Sequence, residues 1–360
     1  MLELTPRTEA PAWLRLASPI AALVVTLSFG ILLFHFVGKE PFAALELFFW
    51  EPLKNARALG ELALKASPVL LIALGLSLCF RTNVWNIGAE GQFILGAIGA
   101  SWVSLHARGE SGPWLVAAAL LAGALGGIAW AALCAFFREH FHASEILTSL
   151  MLVYVAEQLL SYLVHGPWKD PNGYNFPQTI TFLDAARLPR LGSGSRAHAG
   201  LLLVPLAIAG FWLFQRHSHA GYRLRVVGLS PRAALYAGFA KSRAIYTALL
   251  ASGATAGLAG AMEVCGPVGQ LTPHVPLGYG FAGIIAAFVG RLHPIGVTLS
   301  SLLMSLFYIG GELSQSRLGL PKSVTGVFEG VLLFALLACD TLVQNRVRLT
   351  WPFGSRSITP

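Results

Sequence analysis

The sequence predicts an all-α polytopic membrane protein with about ten transmembrane helices and an inverted repeat. Three observations predict it. Of 360 residues, 55% are hydrophobic and only 12% are charged, against about 25% charged in a soluble domain. The charged residues cluster between apolar blocks. Those blocks recur at lengths near the roughly 20 helical residues that cross a hydrocarbon core about 30 Å thick, which leaves little chain for a soluble domain.

The first block, Ile20 to Val37, follows a polar start containing Arg7 and Arg15. Gly38-Lys39-Glu40-Pro41 follows it instead of a small-residue cleavage site, so it reads as a retained span. The ten expected spans are 19–38, 64–80, 88–106, 113–137, 147–165, 199–215, 244–264, 279–290, 295–310 and 324–343. The eighth is too short for a straight perpendicular crossing and reads as a broken or partly re-entrant helix, tolerated where protein covers its loose backbone.

Charge sets the orientation. With the N-terminus in the cytoplasm, Arg81, Arg138, the 216–243 segment, Arg291, Arg346, Arg348 and Arg356 fall inside, whereas Lys39, Lys54, Arg57, Arg108, Arg317 and Lys322 fall outside. The expected organisation is a cytoplasmic segment 1–18, a transmembrane domain 19–343 with a cytoplasmic loop 216–243, and a cytoplasmic tail 344–360. The outward loop 166–198 opens with Gly166-Pro167-Trp168-Lys169-Asp170-Pro171-Asn172-Gly173, turn chemistry that suits an ordered lid. Asn86–Gly96 and Gly278–Gly290 echo one another, and spans 2–5 and 7–10 start from opposite sides, the plan of an inverted repeat.

The segment 216–243 carries six Arg/Lys and no Asp/Glu. It is long enough to seat a soluble partner, and Ser230-Pro231 before Arg232-Ala233-Ala234 offers a cap and a first-turn proline. Glu90, Glu145, Glu157, Glu263 and Glu329 fall in or beside apolar spans, where a lipid-facing carboxylate is costly. Glu90 is the sharpest case, between Gly88 and Gly91, after Asn83 and Asn86 and before Gln92. It reads either as part of a polar bend on a transport path or as a helix-start network. Ser144 could cap a helix whose first turn holds Glu145. Among the aromatic residues, Phe93 and Phe281 could stack a ring-containing solute; core packing is the competing reading. The candidate path residues are therefore Asn86, Glu90, Gln92, Phe93, Glu145 and Phe281.

Small residues recur at helical spacing in 118–127 and 251–260, which allows close packing in lipid. Cys79, Cys134, Cys265 and Cys339 show no metal spacing and read as small apolar side chains. The net charge of +8 is explained by topology rather than by nucleic acid. No GxxxxGK[ST], HExxH or GxSxG occurs, so the chain reads as neither a P-loop ATPase nor a membrane enzyme.

Four segments together resemble the permease subunits of bacterial ABC importers in the branched-chain amino acid and simple-sugar group, nearest to the nucleoside or simple-sugar branch. They are RTNVWNIGAEGQ (Arg81–Gln92), EILTSLML (Glu145–Leu152), GYRLRVVGLSPRAALYAG (Gly221–Gly238) and GRLHPIG (Gly290–Gly296). The chain departs from the family pattern at Ser144 and Val153, where Asn is common. The resemblance implies a multi-pass protein of the bacterial inner membrane and a non-catalytic translocation subunit for nucleosides, with simple sugars or branched-chain amino acids as alternatives. It implies that Gly221–Gly238 seats on a cytoplasmic ATPase, with Arg223, Arg225, Gly228, Arg232, Ala233, Ala234 and Gly238 in the coupling surface. It further implies a second, non-identical permease, an extracytoplasmic solute-binding protein and a small-molecule solute, with ATP and Mg2+ on the ATPase and no cofactor on this chain. An ion-coupled secondary transporter is the competing class, supported by the repeat and the membrane carboxylates.

Overall fold

The computed structural model describes residues 2–6, 12–107, 112, 114–191, 196–321 and 323–349. The expected tail beyond 349, and Arg7, Arg108, Lys322 and Arg356 of the charge argument, lie outside the described residues. In chain order the helices are α1 Ala12–Phe36, α2 Pro41–Leu45, α3 Ala56–Arg81, α4 Ala89–His106, α5 Trp114–Phe141, α6 Glu145–His165, α7 Leu203–His217, α8 His219–Leu229, α9 Pro231–Tyr236, α10 Lys241–Glu263, α11 Tyr279–Val289, α12 Pro294–Leu318 and α13 Ser323–Gln344. Two strands, β1 Leu2–Pro6 and β2 Asn345–Leu349, pair antiparallel with Leu2 opposite Leu349. This short ladder brings the two described ends of the chain together.

A helix stands at each of the ten expected spans, and among the described residues eight are long and apolar enough to cross a membrane. The protein is an all-α polytopic membrane protein apart from its two-stranded ladder. The two exceptions among the ten are α4 and α11. The first turn of α4 carries Glu90, with Gln92 following. At 11 residues α11 is about 16 Å long, roughly half the hydrocarbon core. The sequence did not predict the run of short helical pieces after α1, which includes α2, a π turn at Glu46–Trp50 and a 3-10 turn at Glu51–Leu53.

The chain forms two compact units, one of residues 1–48 and 311–360 and one of 49–310. In the smaller, α1 packs on α13. Gly30 makes room for the Phe328 ring, which lies 4.7 Å from Phe48 and 5.8 Å from Phe34. All three rings are fully buried.

In the larger unit α3 is central, with 89% of its apolar window buried; α7, with 6%, runs along the perimeter. The core is the seam of α4, α5 and α10. A Cβ at Gly127 would overlap the carbonyl of Gly253, one at Gly257 that of Gly123, one at Gly96 that of Gly257, and one at Gly260 that of Phe93. The two small-residue stripes thus lie against one another, backbone on backbone. In lipid, where apolar burial gives helices little reason to associate, this contact density supplies the packing energy.

The described residues of the loop after α6, 166–191 and 196–198, are held by backbone hydrogen bonds, in line with their turn chemistry. Thr179 N donates to Leu271 O at 3.0 Å, Phe182 N to Gly269 O at 2.9 Å and Leu188 N to Cys265 O at 2.8 Å. The loop is thereby tied to the segment 264–278 between α10 and α11. His198 closes it: its Nδ1 accepts from Gly200 N at 3.1 Å, and burial pushes the imidazole down to about 4, so the ring is neutral.

Gly257→Val should lower the thermal midpoint of the detergent-purified protein, since overpacking a rigid seam costs about 1–3 kcal/mol. Gly210→Ala, where nothing lies within 4 Å of the added Cβ, should leave the midpoint unchanged or raise it. Equal midpoints for Gly257→Val and wild type would refute the seam.

Candidate functional site

The chain leaves α3 at Arg81 and passes through Thr82–Gly88 before α4 begins. Buried Asn86 organises that passage. Its Nδ2 donates to Gln92 Oε1 at 3.2 Å and to Ser252 Oγ on α10 at 3.1 Å. Its Oδ1 accepts from Gly88 N at 3.1 Å and from Gln92 Nε2 at 3.2 Å. Ile87 N donates to Ser149 Oγ on α6 at 3.1 Å. At Gly88 a Cβ would come within 2.8 Å of Ser149, so glycine is needed where the chain passes α6.

Glu90 then meets the start of a different helix. Its Oε1 accepts from Gly278 N at 2.9 Å and its Oε2 accepts from Gly280 N. These N–H groups belong to the first turn of α11, which no intrahelical carbonyl satisfies. Gly278 holds φ +83°, a left-handed conformation suited to glycine. A Cβ at Gly280 would overlap the Glu90 backbone. Two helix starts therefore meet head to head, and one carboxylate sits where both dipoles favour negative charge. Glu90 thus serves a helix start, but that of α11 rather than the local amides of its own helix.

Beside this junction lies a cavity of 310 Å³. Glu90 and Glu157 face it together with Ser161, Pro273, Pro276 and Phe281. Phe281 is 40% exposed and offers a ring to the cavity. Phe93 is fully buried with its ring edge-on to Tyr279 at 5.7 Å, so it supports the junction from behind. Asn86 and Gln92 are likewise buried, spent on one another, and do not line the cavity. Glu145 is elsewhere, paired with Arg138 at 3.0 Å. Ser144 occupies the N-cap position of α6, but its side chain makes no capping hydrogen bond, contrary to expectation.

The sequence left Glu157 without a place and did not single out Ser161, Pro273 or Pro276. Their only local signal is two prolines and a glycine within six residues, Pro273 to Gly278.

Within the basic segment 216–243, α8 and α9 form an elbow of two short helices. Ser218 Oγ accepts from Gly221 N at 2.9 Å to cap α8, and Ser230 Oγ accepts from Ala233 N at 3.4 Å to cap α9, with Pro231 at the first position. Leu224, Val227 and Ala234 are buried in a cluster with Ala244, Ile245 and Ala248 of α10. Gly228 presses on the carbonyl of Arg81, which a Cβ would overlap. Gly238, at φ +74°, ends the elbow. Arg223, 5.7 Å over the Phe239 ring, Arg225, Arg232 and Ala233 remain exposed, as do Leu235 at 73% and Tyr236 at 93%. Among the described residues no group of three or more His, Cys, Asp or Glu is placed to hold a metal ion, and the four cysteines are free.

Glu90→Ala would strand two buried N–H groups, at about 1–3 kcal/mol each, and should lower the thermal midpoint by several degrees. Glu90→Gln keeps an acceptor and should fold closer to wild type. Wild-type thermal stability in Glu90→Ala would contradict the junction.

The chain matches the family described as branched-chain amino acid transport system / permease component over residues 58–337. It is 31% identical to the glucose ABC transporter permease protein TsgB13 of Haloferax volcanii, over 97% of this chain and 94% of that one. It is 28% identical to the guanosine ABC transporter permease protein NupP of Bacillus subtilis, over 88% of this chain and 91% of that one. It is 24% identical to the nucleoside ABC transporter permease protein NupB of Lactococcus lactis, over 88% and 89%. In fold it is similar to a solved inward-facing metal-chelate type ABC transporter, with TM-score 0.50, 17% identity and coverage of 80% of this chain and 88% of that one. With the match running from α3 to α13, the chain belongs to the branched-chain amino acid transport system / permease component family and is a non-catalytic membrane permease component of an ABC-type importer.

Proposed function

We propose that the chain imports nucleosides, taking them through the cavity beside the α4–α11 junction. The observation that carries this reading is the chemistry of that cavity: two carboxylates and an exposed phenylalanine, with no Lys or Arg among its lining residues. Carboxylates accept hydrogen bonds from vicinal hydroxyls, and the Phe281 ring suits a planar base. The lining offers no Lys or Arg to hold the carboxylate of a free amino acid, which disfavours the branched-chain alternative despite the family's description. Relatives whose names specify guanosine or nucleosides support the choice. A free sugar is the second reading, favoured by the glucose permease of Haloferax volcanii and by the same hydroxyl chemistry.

The solute path then consists of Glu90 and Phe281 with Glu157, and Asn86, Gln92 and Phe93 hold it in place. Glu145, paired with Arg138, would act at the other end of α6. The elbow of α8 and α9 would seat on a cytoplasmic ATPase through Arg223, Arg225, Arg232, Ala233, Leu235 and Tyr236, while Gly228, Ala234 and Gly238 fix its shape. The segment 216–243 would then be cytoplasmic, and the charge distribution supports cytoplasmic chain ends as well, in a bacterial cell. A second, non-identical permease and an extracytoplasmic binding protein would complete the complex, with ATP and Mg2+ on the ATPase. The head-to-head starts of α4 and α11 support an inverted repeat. ATP-driven motion of the elbow would bias the cavity between its two openings.

Radiolabelled guanosine, glucose and leucine should be offered to vesicles holding the full complex, with ATP on the ATPase side and with or without an ionophore. ATP-dependent guanosine uptake that survives the ionophore is expected, and Arg225→Glu should cut solute-stimulated ATP hydrolysis at least about tenfold. Glucose uptake alone would select the sugar reading. Leucine uptake or ionophore-sensitive, ATP-independent flux would overturn the proposal.

A further inference from the structure

A second cavity, of 720 Å³, opens at the end of the bundle that bears the elbow. It is apart from the Glu90 cavity and shares no lining residue with it. Arg81 closes α3, Arg216 stands in the last turn of α7, Arg225 lies on α8 and His293 precedes α12; all four line this cavity. None of its lining residues is a carboxylate. Three guanidinium groups from three helices thus converge on one space without an acidic neighbour in its wall.

The cluster is held in place. Arg81 Nε donates to Leu292 O at 3.1 Å, and the Gly228 backbone presses on the Arg81 carbonyl. Arg216 sits 5.3 Å from the Trp212 ring. Each guanidinium has five N–H donors, and Arg81 spends one on Leu292, so donors remain for a ligand. A convergent set of arginines without carboxylates suits a phosphate group.

The apolar side of the cavity indicates where the phosphate comes from. Phe80, Trp212, Leu229 and Leu292 share the wall with the arginines. Trp212 lies near the end of α7, the helix whose apolar window is nearly all exposed. A tryptophan and an arginine closing a lipid-facing helix mark the headgroup level of a bilayer. A basic pocket between helix ends at that level takes an acidic headgroup.

We infer that this cavity is a binding site for the phosphodiester of an anionic phospholipid, held by Arg81, Arg216 and His293 with the glycerol end against Trp212 and Leu229. A zwitterionic lipid brings an ammonium group into the same cationic space and is disfavoured. The bound lipid would brace the end of α7 against the base of the elbow.

The full-length chain in detergent should be titrated with phosphatidylglycerol and with phosphatidylcholine and followed by native mass spectrometry, with glycerol 3-phosphate as a soluble competitor. One phosphatidylglycerol should be retained at concentrations about tenfold below those needed for phosphatidylcholine. Arg81→Gln combined with Arg216→Gln should erase that preference, Arg216→Gln alone should weaken it, and Arg216→Lys should keep most of it. The single substitution lies at an exposed position, which separates loss of binding from loss of fold. Equal retention of the two lipids, or an unchanged preference in folded Arg216→Gln, would overturn the site. Displacement of phosphatidylglycerol by equimolar glycerol 3-phosphate would overturn the lipid as its occupant.

Discussion

The backbone contact among α4, α5 and α10 is the constraint on which the larger unit depends. Gly96, Gly123, Gly127, Gly253, Gly257 and Gly260 carry no side chain because the neighbouring backbone occupies that space. Close approach has two consequences. It brings Ser252 of α10 within reach of Asn86, so the passage into α4 is fixed by hydrogen bonds before α4 begins. It also gives α8 a flat footing, where Leu224 and Val227 bury against Ala244 and Ala248. The Glu90 cavity and the elbow thus both rest on this one seam, the arrangement that the proposed coupling between them requires.

The Glu90 junction shows how a charged group is kept inside an apolar bundle. A carboxylate in lipid is costly, but here it lies against the unsatisfied N–H groups of Gly278 and Gly280. The cost of a broken helix start and the cost of a buried acid offset one another. Because the residues are glycines, the carboxylate reaches the amides directly. The same junction joins the starts of α4 and α11. Each begins inside protein, and each relies on the other at its open end.

Much of the fold was legible in the sequence because the bilayer imposes a length. Ten apolar blocks became ten helices, and the short eighth block was recognisable as too short to cross. The elbow was also legible, since Ser230 and Pro231 are a local signal for a helix start and the cap formed. The cavity was legible only in part. Glu90 and Phe281 announce themselves by charge or aromaticity, whereas Glu157, Ser161, Pro273 and Pro276 join them only because α6 and the 264–278 segment pack there. Asn86 and Gln92 look like path residues in isolation; their closed pair of hydrogen bonds depends on a geometry no spacing rule encodes. Ser144 shows the converse, a capping residue type whose side chain makes no cap.

The most direct measurement of the link between this chain and its motor is cross-linking from the exposed tip of the elbow. A chain lacking its four cysteines and carrying Tyr236→Cys should be combined in native membranes with an ATPase bearing single cysteines around its docking groove. Rapid disulfide formation at Cys-substituted position 236 on addition of copper phenanthroline as the oxidant, altered by ATP, is the predicted result. A residue at position 236 that reacts with membrane-impermeant reagents from outside the cell, or never cross-links to an ATPase that co-purifies with the chain, would contradict the elbow as the coupling surface.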